Sequence, residues 1–245
     1  MSRTRTNDDA LLVHGANAVA ELLRSGEPVS RLQLQRGGPR TQELVRASRS
    51  RGIMPEVVER AVLDRFAGTP HHQGAVATTR PFPYRALEDV LADGLGSALV
   101  LDGVQDPRNL GAILRTARAA GVGAVLLPRD RSAGVTAAVV SASAGLVFGL
   151  PIARVPNLVR SMDALRQAGL WTVGLVPRDG APVYGFAAPA RVALVAGGEG
   201  DGLRSLVRRT CDFTVSLPMA SGVESLNVGV AVAVALYELL VRPRT

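Results

Sequence analysis

The chain has 245 residues, 47% hydrophobic and 20% charged, which is length enough to bury a core and argues against wholesale disorder. Its formal charge of +7 is carried by 28 basic residues, all arginine, while only 4% of residues are aromatic. This favours a polyanionic partner such as RNA, held by planar guanidinium forks and not by many stacking rings. The lone cysteine, Cys211, excludes an intramolecular disulfide and a cysteine-rich zinc site, and no uncharged run reaches membrane-spanning length, so a cytoplasmic protein with no metal and no membrane is expected.

In chain order, ALLVHGANAVAELLR (10–24) places Val13, Val19, Leu22 and Leu23 at roughly helical spacing and predicts an amphipathic helix. RLQLQ (31–35) alternates as a strand does, and TQELVRASRSRG (41–52) returns to helical spacing before a glycine stop. PEVVER predicts a short strand, AVLDRFAG a helical turn, and GTPHHQGAVATTRPFPY mixes turns with one more strand, leaving His71 and His72 as loop residues. The simplest organisation is a small α/β unit over 1–80 and a proline-bearing linker over 81–95. Residues 1–80 hold 12 arginines against 8 acids and the remainder 16 against 13, so the basic excess is denser in the small unit.

From residue 96 the pattern becomes strand–helix alternation. Apolar runs occur at SALVLDGV, AVLLP, LPIARV, WTVGLV, VALVAGG and FTVSLP. Helical segments NLGAILRTARAAG, TAAVVSASAG, NLVRSMDALRQAG, LRSLVRR and SLNVGVAVAVALYELL lie between or after them. Such strands imply a parallel sheet covered on both faces. No phosphate loop GxxxxGK[ST], nucleophile elbow GxSxG or HExxH is present, and GGEGDG lacks the GxGxxG spacing. Three glycine-bearing polar segments follow strands: DGVQDPRNLGAILR, VAGGEGDGL and SLPMASGVESLN. In open α/β sheets such strand ends form the ligand crevice, but tight connections to helices would use the same residue types, and composition leaves both readings open.

The residues themselves, D-P-x-N-x-G-A-I-x-R-T, then G-x-E-G-x-G-L, then P-M-x-S-G-x-x-S-L-N-V, closely resemble the three ordered motifs of the SpoU-type RNA ribose 2′-O-methyltransferases of the SPOUT superfamily, over roughly residues 96–245. VHGANAVAELL and HQGAVA also resemble the L30e-like RNA-binding domain that precedes the catalytic domain in the 23S rRNA guanosine subgroup. The resemblance implies a parallel-sheet α/β domain with a C-terminal trefoil knot over 96–245, the L30e-like domain over 1–80, and S-adenosylmethionine as methyl donor. It places the cofactor against Gly197, Gly198, Leu217, Met219 and Leu226, where glycine permits close backbone approach and the larger side chains offer apolar walls.

The same resemblance makes Arg115 the catalytic residue, with Asn109 orienting it and Glu199, Ser225 and Asn227 at the active site. A guanidinium does not give up its proton in proteins, so a role in binding the adjacent phosphate and stabilising a developing alkoxide suits it better than proton abstraction. Glu199 is expected either to pair with Arg115 or to anchor a motif loop, and Ser225 could cap the last helix. Six residues of helix separate Asn109 from Arg115, some 120° out of alignment at roughly 3.6 residues per turn, so Asn109 reaches Arg115 only if it caps the helix. Gly229 departs from the serine common at that place. The resemblance further implies homodimerisation through the last helix, and 23S rRNA phosphates held by Arg31, Arg36, Arg40, Arg46, Arg49 and Arg51. Rival targets are a tRNA and an antibiotic-resistance rRNA site; a catalytically silent RNA-binding or ribosome-assembly factor is the alternative of a different class.

Overall fold

The computed structural model describes residues 10–200 and 202–241. The chain divides into two units, Met1–Pro83 with Val135–Gly149, and Tyr84–Gly134 with Leu150–Thr245. In the first, strands β1 (Leu11–His14), β2 (Val29–Gln35), β3 (Glu56–Val58) and β4 (Ala75–Thr79) form a sheet in the order β1-β4-β2-β3. β4 runs antiparallel to both neighbours, and β3 joins β2 in parallel. Helices α1 (Ala16–Ser25), α2 (Thr41–Arg49) and α3 (Arg60–Ala67) pack here. A short α6 (Ala137–Ala142) lies against β1, and the 3₁₀ turn Leu146–Gly149 against α1.

The helix expected over 10–24 is corrected at its start. Leu11–His14 is a strand paired with β4, and the helix begins only at Ala16 because Gly15, at φ 104, turns the chain in a conformation that favours glycine. Ladder pairing with a distant segment outweighs four residues of local periodicity. His72 is also more than a loop residue. It is 1% exposed, its Nδ1 accepts from the Gly74 amide at 3.0 Å, and Nε2 therefore carries the hydrogen that reaches Asp64 at 2.9 Å.

The basic residues of this unit are not equivalent. Arg51 donates to Leu23 O at 3.0 Å and Glu27 O at 2.9 Å, satisfying carbonyls at and just beyond the end of α1, so its expected phosphate role is replaced by a structural one. Arg31 pairs with Glu56 at 2.9 Å and lies over the Phe66 ring, Arg36 pairs with Glu59 at 2.8 Å, and Arg40 with Glu43 at 2.5 Å. The Arg31 fork holds the Glu56 carboxyl below its ordinary range. Arg46 and Arg49 are exposed and have no ion-pair partner among the described residues.

The second unit is a seven-stranded, wholly parallel sheet in the order β7-β6-β5-β10-β8-β11-β9. Its strands are β5 (Ser97–Asp102), β6 (Ala124–Pro128), β7 (Ile152–Val155), β8 (Trp171–Leu175), β9 (Ala181–Pro182), β10 (Val192–Gly197) and β11 (Phe213–Ser216). Six of these coincide with the apolar runs; β9, two residues without such a run, has no counterpart among them. Side chains alternate across the sheet. Ala98, Val100, Ala124, Leu126, Ala193 and Val195 join one core with Leu158, Met162 and Leu165 of α7 (Leu158–Gln167) and Val207 of α8 (Ser205–Thr210).

Residues 81–95, expected as a linker, carry α4 (Leu87–Ala92), whose Val90 is in this core with Leu87 and Leu91 packed against it. On the other helical pair, α5 (Pro107–Ala119) packs on α9 (Val228–Leu236), which continues as one π-helical turn, Tyr237–Val241. α9 is apolar all round: Val232, Ala235 and Leu236 are buried while Val230, and Tyr237 at the start of the π-helical turn, face solvent. Cys211 is largely buried, and that burial pushes its thiol up to about 12, so it is not a nucleophile near neutral pH. Among the described residues no helix is long and apolar enough to cross a membrane.

Candidate active site

Parallel strands deliver their C-terminal ends to one edge of the sheet. Gly197, last in β10, stands in register with Asp102, last in β5; β8 and β11 end beside them. The three polar segments of the sequence follow β5, β10 and β11, and so meet there. A cavity of ≈ 350 Å³ opens among them, lined by Gly197, Gly198, Glu199, Leu217, Met219, Ser225, Leu226 and Asn227. All five residues expected to hold the cofactor are in that lining. Leu175, Val176 and Pro177 are further lining residues absent from the sequence-based expectation. They continue from β8, and their place at a strand end was the signal that could have found them.

The backbone is packed too closely here for side chains. A Cβ at Gly197 would stand 2.0 Å from the Gly202 carbonyl carbon, and one at Gly198 2.2 Å from Gly103 O. Gly197 and Gly198 thus form the floor of a cradle where only glycine fits. Its cavity lies near the lower end of the roughly 300–1,000 Å³ typical of small-molecule sites, walled by leucine and methionine side chains and edged by peptide groups. These residues fit S-adenosylmethionine, an adenosine joined to a thioether amino acid: apolar walls for the ring and chain, backbone donors and acceptors for the polar rims.

A chain of side-chain amides closes one end. Asn227 caps α9, its Oδ1 accepting from the Gly229 amide at 2.9 Å and the Val230 amide at 3.3 Å. Its Nδ2 donates to Asn109 Oδ1 at 3.0 Å, and Asn109 Nδ2 in turn donates to Glu199 Oε1. Both cap assignments from sequence are corrected. Ser225 lies two residues before the cap of α9, and α5 is capped by Asp106, whose carboxylate accepts from the Arg108 amide at 2.8 Å, with Pro107 at its first turn. Gly229 contributes its amide to the cap, and a serine side chain there is not required.

Arg115 stands apart. It is exposed on α5, lines none of the cavities described, and has no hydrogen-bond partner among the described residues. The pairing of Glu199 with Arg115, and the orienting of Arg115 by Asn109, are therefore replaced within one chain by the Asn109–Glu199 bond. Of the two expectations for Glu199, the tie between motif loops is the one observed. Glu199 is exposed, so it carries no desolvation burden that would demand a guanidinium.

Asp102 was not singled out from sequence. Its side chain is 0% exposed and it grips Arg204, with Nε at 2.7 Å, Nη2 at 2.6 Å and the backbone amide at 3.0 Å. An acid ending an otherwise apolar strand, SALVLD, was the available signal. Among the described residues, no group of three or more potential ligands could hold a metal ion.

Residues 96–237 match the SpoU rRNA Methylase family, and residues 12–85 match the RNA 2′-O ribose methyltransferase substrate-binding family. The 23S rRNA (guanosine-2′-O-)-methyltransferase RlmB of Xanthomonas campestris is 42% identical over 232 residues, 91% of this chain and 93% of that one. Among solved structures, the SpoU methyltransferase AviRb of Streptomyces viridochromogenes, in complex with AdoMet, superposes with a TM-score of 0.80 at 29% identity, covering 98% of this chain and 94% of its own. The AdoMet-bound rRNA methyltransferase of Sinorhizobium meliloti gives 0.81 at 25% identity, covering 97% and 89%. With the glycine cradle and amide chain in place, these likenesses have one reading: the chain belongs to the SpoU family of RNA ribose 2′-O-methyltransferases, enzymes that use S-adenosylmethionine.

Proposed function

We propose that this chain methylates the ribose 2′-hydroxyl of a guanosine in 23S rRNA, as a cytoplasmic homodimer. The observation that carries this reading is the continuous bond from Asn227 through Asn109 to Glu199 at the mouth of the glycine-cradled cavity. The similarity to the Xanthomonas enzyme supports guanosine in 23S rRNA as the target.

When bound, S-adenosylmethionine supplies an electrophilic sulfonium methyl. The chain's own work is placement. Glu199 spends one carboxylate oxygen on Asn109 and keeps the other for an incoming hydroxyl, which it can accept as a hydrogen-bond donor. Asn109 is held at both ends of its amide and cannot rotate freely, so Glu199 is fixed relative to the cradle. Ser225, also in the cavity lining, offers a second hydroxyl contact. The loops following β10 and β11 are proposed to form the trefoil knot that holds this cradle closed.

Arg115 reaches the reaction from the other subunit. Turned out of its own cluster and without a partner, it is placed to hold the phosphate beside a second site and to stabilise charge developing on the hydroxyl oxygen there. Val230 and Tyr237 of the last helix, exposed and apolar, supply the dimer contact. Arg46 and Arg49 supply phosphate contacts that position RNA without reading it.

Mapping 2′-O-methylation in rRNA and tRNA from a strain lacking the gene tests the proposal. Loss of one methyl group on a 23S rRNA guanosine is expected. Loss on a tRNA, or an unchanged map, refutes it; an unchanged map together with absent S-adenosylmethionine binding by calorimetry points to a silent RNA-binding factor.

A further inference from the structure

The glycine loop has a second side. Gly198, Glu199 and Gly202 line the cofactor cavity and also a separate hollow of ≈ 260 Å³, walled by Gln105, Asp130, Arg131, Arg204 and the buried Asp102. Its walls are charged where those of the first are apolar. Three features show that it is built and not incidental. Asp102 occupies Nε and Nη2 of Arg204, so a half-exposed guanidinium is fixed at the rim with Nη1 unbonded among the described residues. Asp130 and Arg131, consecutive and both lining the hollow, are exposed yet pair neither with each other nor with any described residue. Their loop is nevertheless pinned: Arg129 N donates to Val155 O and Ala133 N to Val104 O, both at 2.9 Å, while Arg131 is held at φ 57, an uncommon conformation for a bulky residue.

An acid and a base, each without a partner among the described residues, line one hollow of ≈ 260 Å³ and call for a ligand that answers both charges. A phosphate would suit Arg131 and Arg204 but would be repelled by Asp130 and Glu199. A nucleobase carries both signs on one edge. A carboxylate needs two adjacent N–H donors, which guanine presents as N1–H and its 2-amino group. A guanidinium needs two adjacent acceptors, which guanine presents as O6 and N7. Adenine, cytosine and uracil do not offer both pairs. A base seated here leaves its own ribose at the Glu199 wall, beside the cofactor cavity.

We propose that the polar hollow beside Glu199 is the seat of the target guanine, unstacked from the RNA, with Asp130 accepting from N1–H and the 2-amino group and Arg131 donating to O6 and N7. Arg204, fixed by Asp102, bounds the pocket from the opposite rim. The proposal rests on the function argued above, and it assigns the choice of base to the second unit's 129–133 loop.

The test uses the full chain and an RNA segment spanning the 23S rRNA position whose methyl group is lost in a strain lacking the gene. The segment carries guanosine, inosine (no 2-amino group) or 7-deazaguanosine (no N7) at that position. For the unaltered enzyme, kcat/KM is expected to fall about tenfold or more with either analogue. Asp130→Ala is expected to lose a similar factor on guanosine but to lose nothing further on inosine, while staying sensitive to 7-deazaguanosine. Arg131→Ala is expected to show the converse. Neither residue lines the cofactor cavity or holds a partner, so calorimetric S-adenosylmethionine affinity and melting temperature should stay unchanged, which separates base reading from misfolding. Variants that lose activity equally on all three RNAs, or on none, overturn the pocket while leaving the methyltransferase reading intact. Failure of the unaltered enzyme to methylate any guanosine of that RNA overturns both.

Discussion

Asn227 performs two tasks that a pair of substitutions can separate. Its Oδ1 caps α9, and its Nδ2 steadies Asn109. Asn227→Ala removes both. Losing an N-cap costs about 1 kcal/mol, and a side-chain hydrogen bond with both partners near solvent adds well under 1 kcal/mol. At roughly 2–4 °C per kcal/mol for a chain of this size, the melting temperature should fall by roughly 3–6 °C. Asn227→Asp keeps an acceptor for the Gly229 and Val230 amides and places a negative charge at a helix N-terminus, where it is favourable. Its melting temperature should stay within about 2 °C of the parent. It has no donor for Asn109, however, and sets a second carboxylate near Glu199. Methyl transfer should fall in both variants, at least tenfold, the factor that about 1.4 kcal/mol of lost positioning produces. Calorimetric melting and transfer of labelled methyl to rRNA are the assays. Full activity in Asn227→Asp would refute the amide chain as a positioning device, and an unshifted melting temperature in Asn227→Ala would refute the cap.

Gly197→Ala puts a Cβ within 2.0 Å of the Gly202 backbone, so the cradle must open and S-adenosylmethionine binding by calorimetry should be lost, whereas retained binding would show the loop to be pliable. Arg115→Lys should be as inactive as Arg115→Ala, because an ammonium lacks the planar fork; a lysine variant with near-parental turnover would leave only charge as its contribution. If Arg115 serves the neighbouring subunit, co-expressed Arg115→Ala and Gly197→Ala chains should regain about a quarter of parental activity, since half of randomly paired dimers hold one intact site. No regain places Arg115 in the site of its own chain. Burial, reinforced by the His72 and His71 charges, lowers the His14 pKa, and its Nδ1 has no hydrogen-bond partner. A depressed histidine value means stability that is whole above the ordinary value of about 6.5 and is lost as pH falls through the lower folded value. Melting of the parent between pH 7.5 and 5 should therefore drop further than that of His14→Gln; equal slopes would remove His14 from the acid sensitivity.

The parallel sheet was legible because its strands are buried on both faces and so read as unbroken apolar runs, as in VALVAG and AVLLP. Leu11–His14 was misread because its period is settled by a partner, β4, some sixty residues away, and four residues cannot declare a period alone. Gly197, Gly198, Leu217, Met219 and Leu226 were named through the resemblance of the three motifs to a known family; the structure gathers them around one cavity, and at Gly197 and Gly198 it gives the physical reason for glycine, since no Cβ fits there.

What the motifs could not convey is who bonds to whom inside the cluster. Asn109 meets Glu199 across 90 residues of sequence and Asn227 across 118, and such pairs are fixed by strand order alone. The periodicity of α5 did contain a warning. Asn109 and Arg115 lie about 120° apart around a helix, so once Asn109 faces the glycine loop, Arg115 must face elsewhere. The helix thus divides its residues between two directions: its first turn closes the site of its own chain, and Arg115 is left as a donor without an acceptor. An unpaired guanidinium in such a position is a surface charge in the isolated chain. On the function proposed above, it joins the chemistry only when RNA and a second subunit are brought against it.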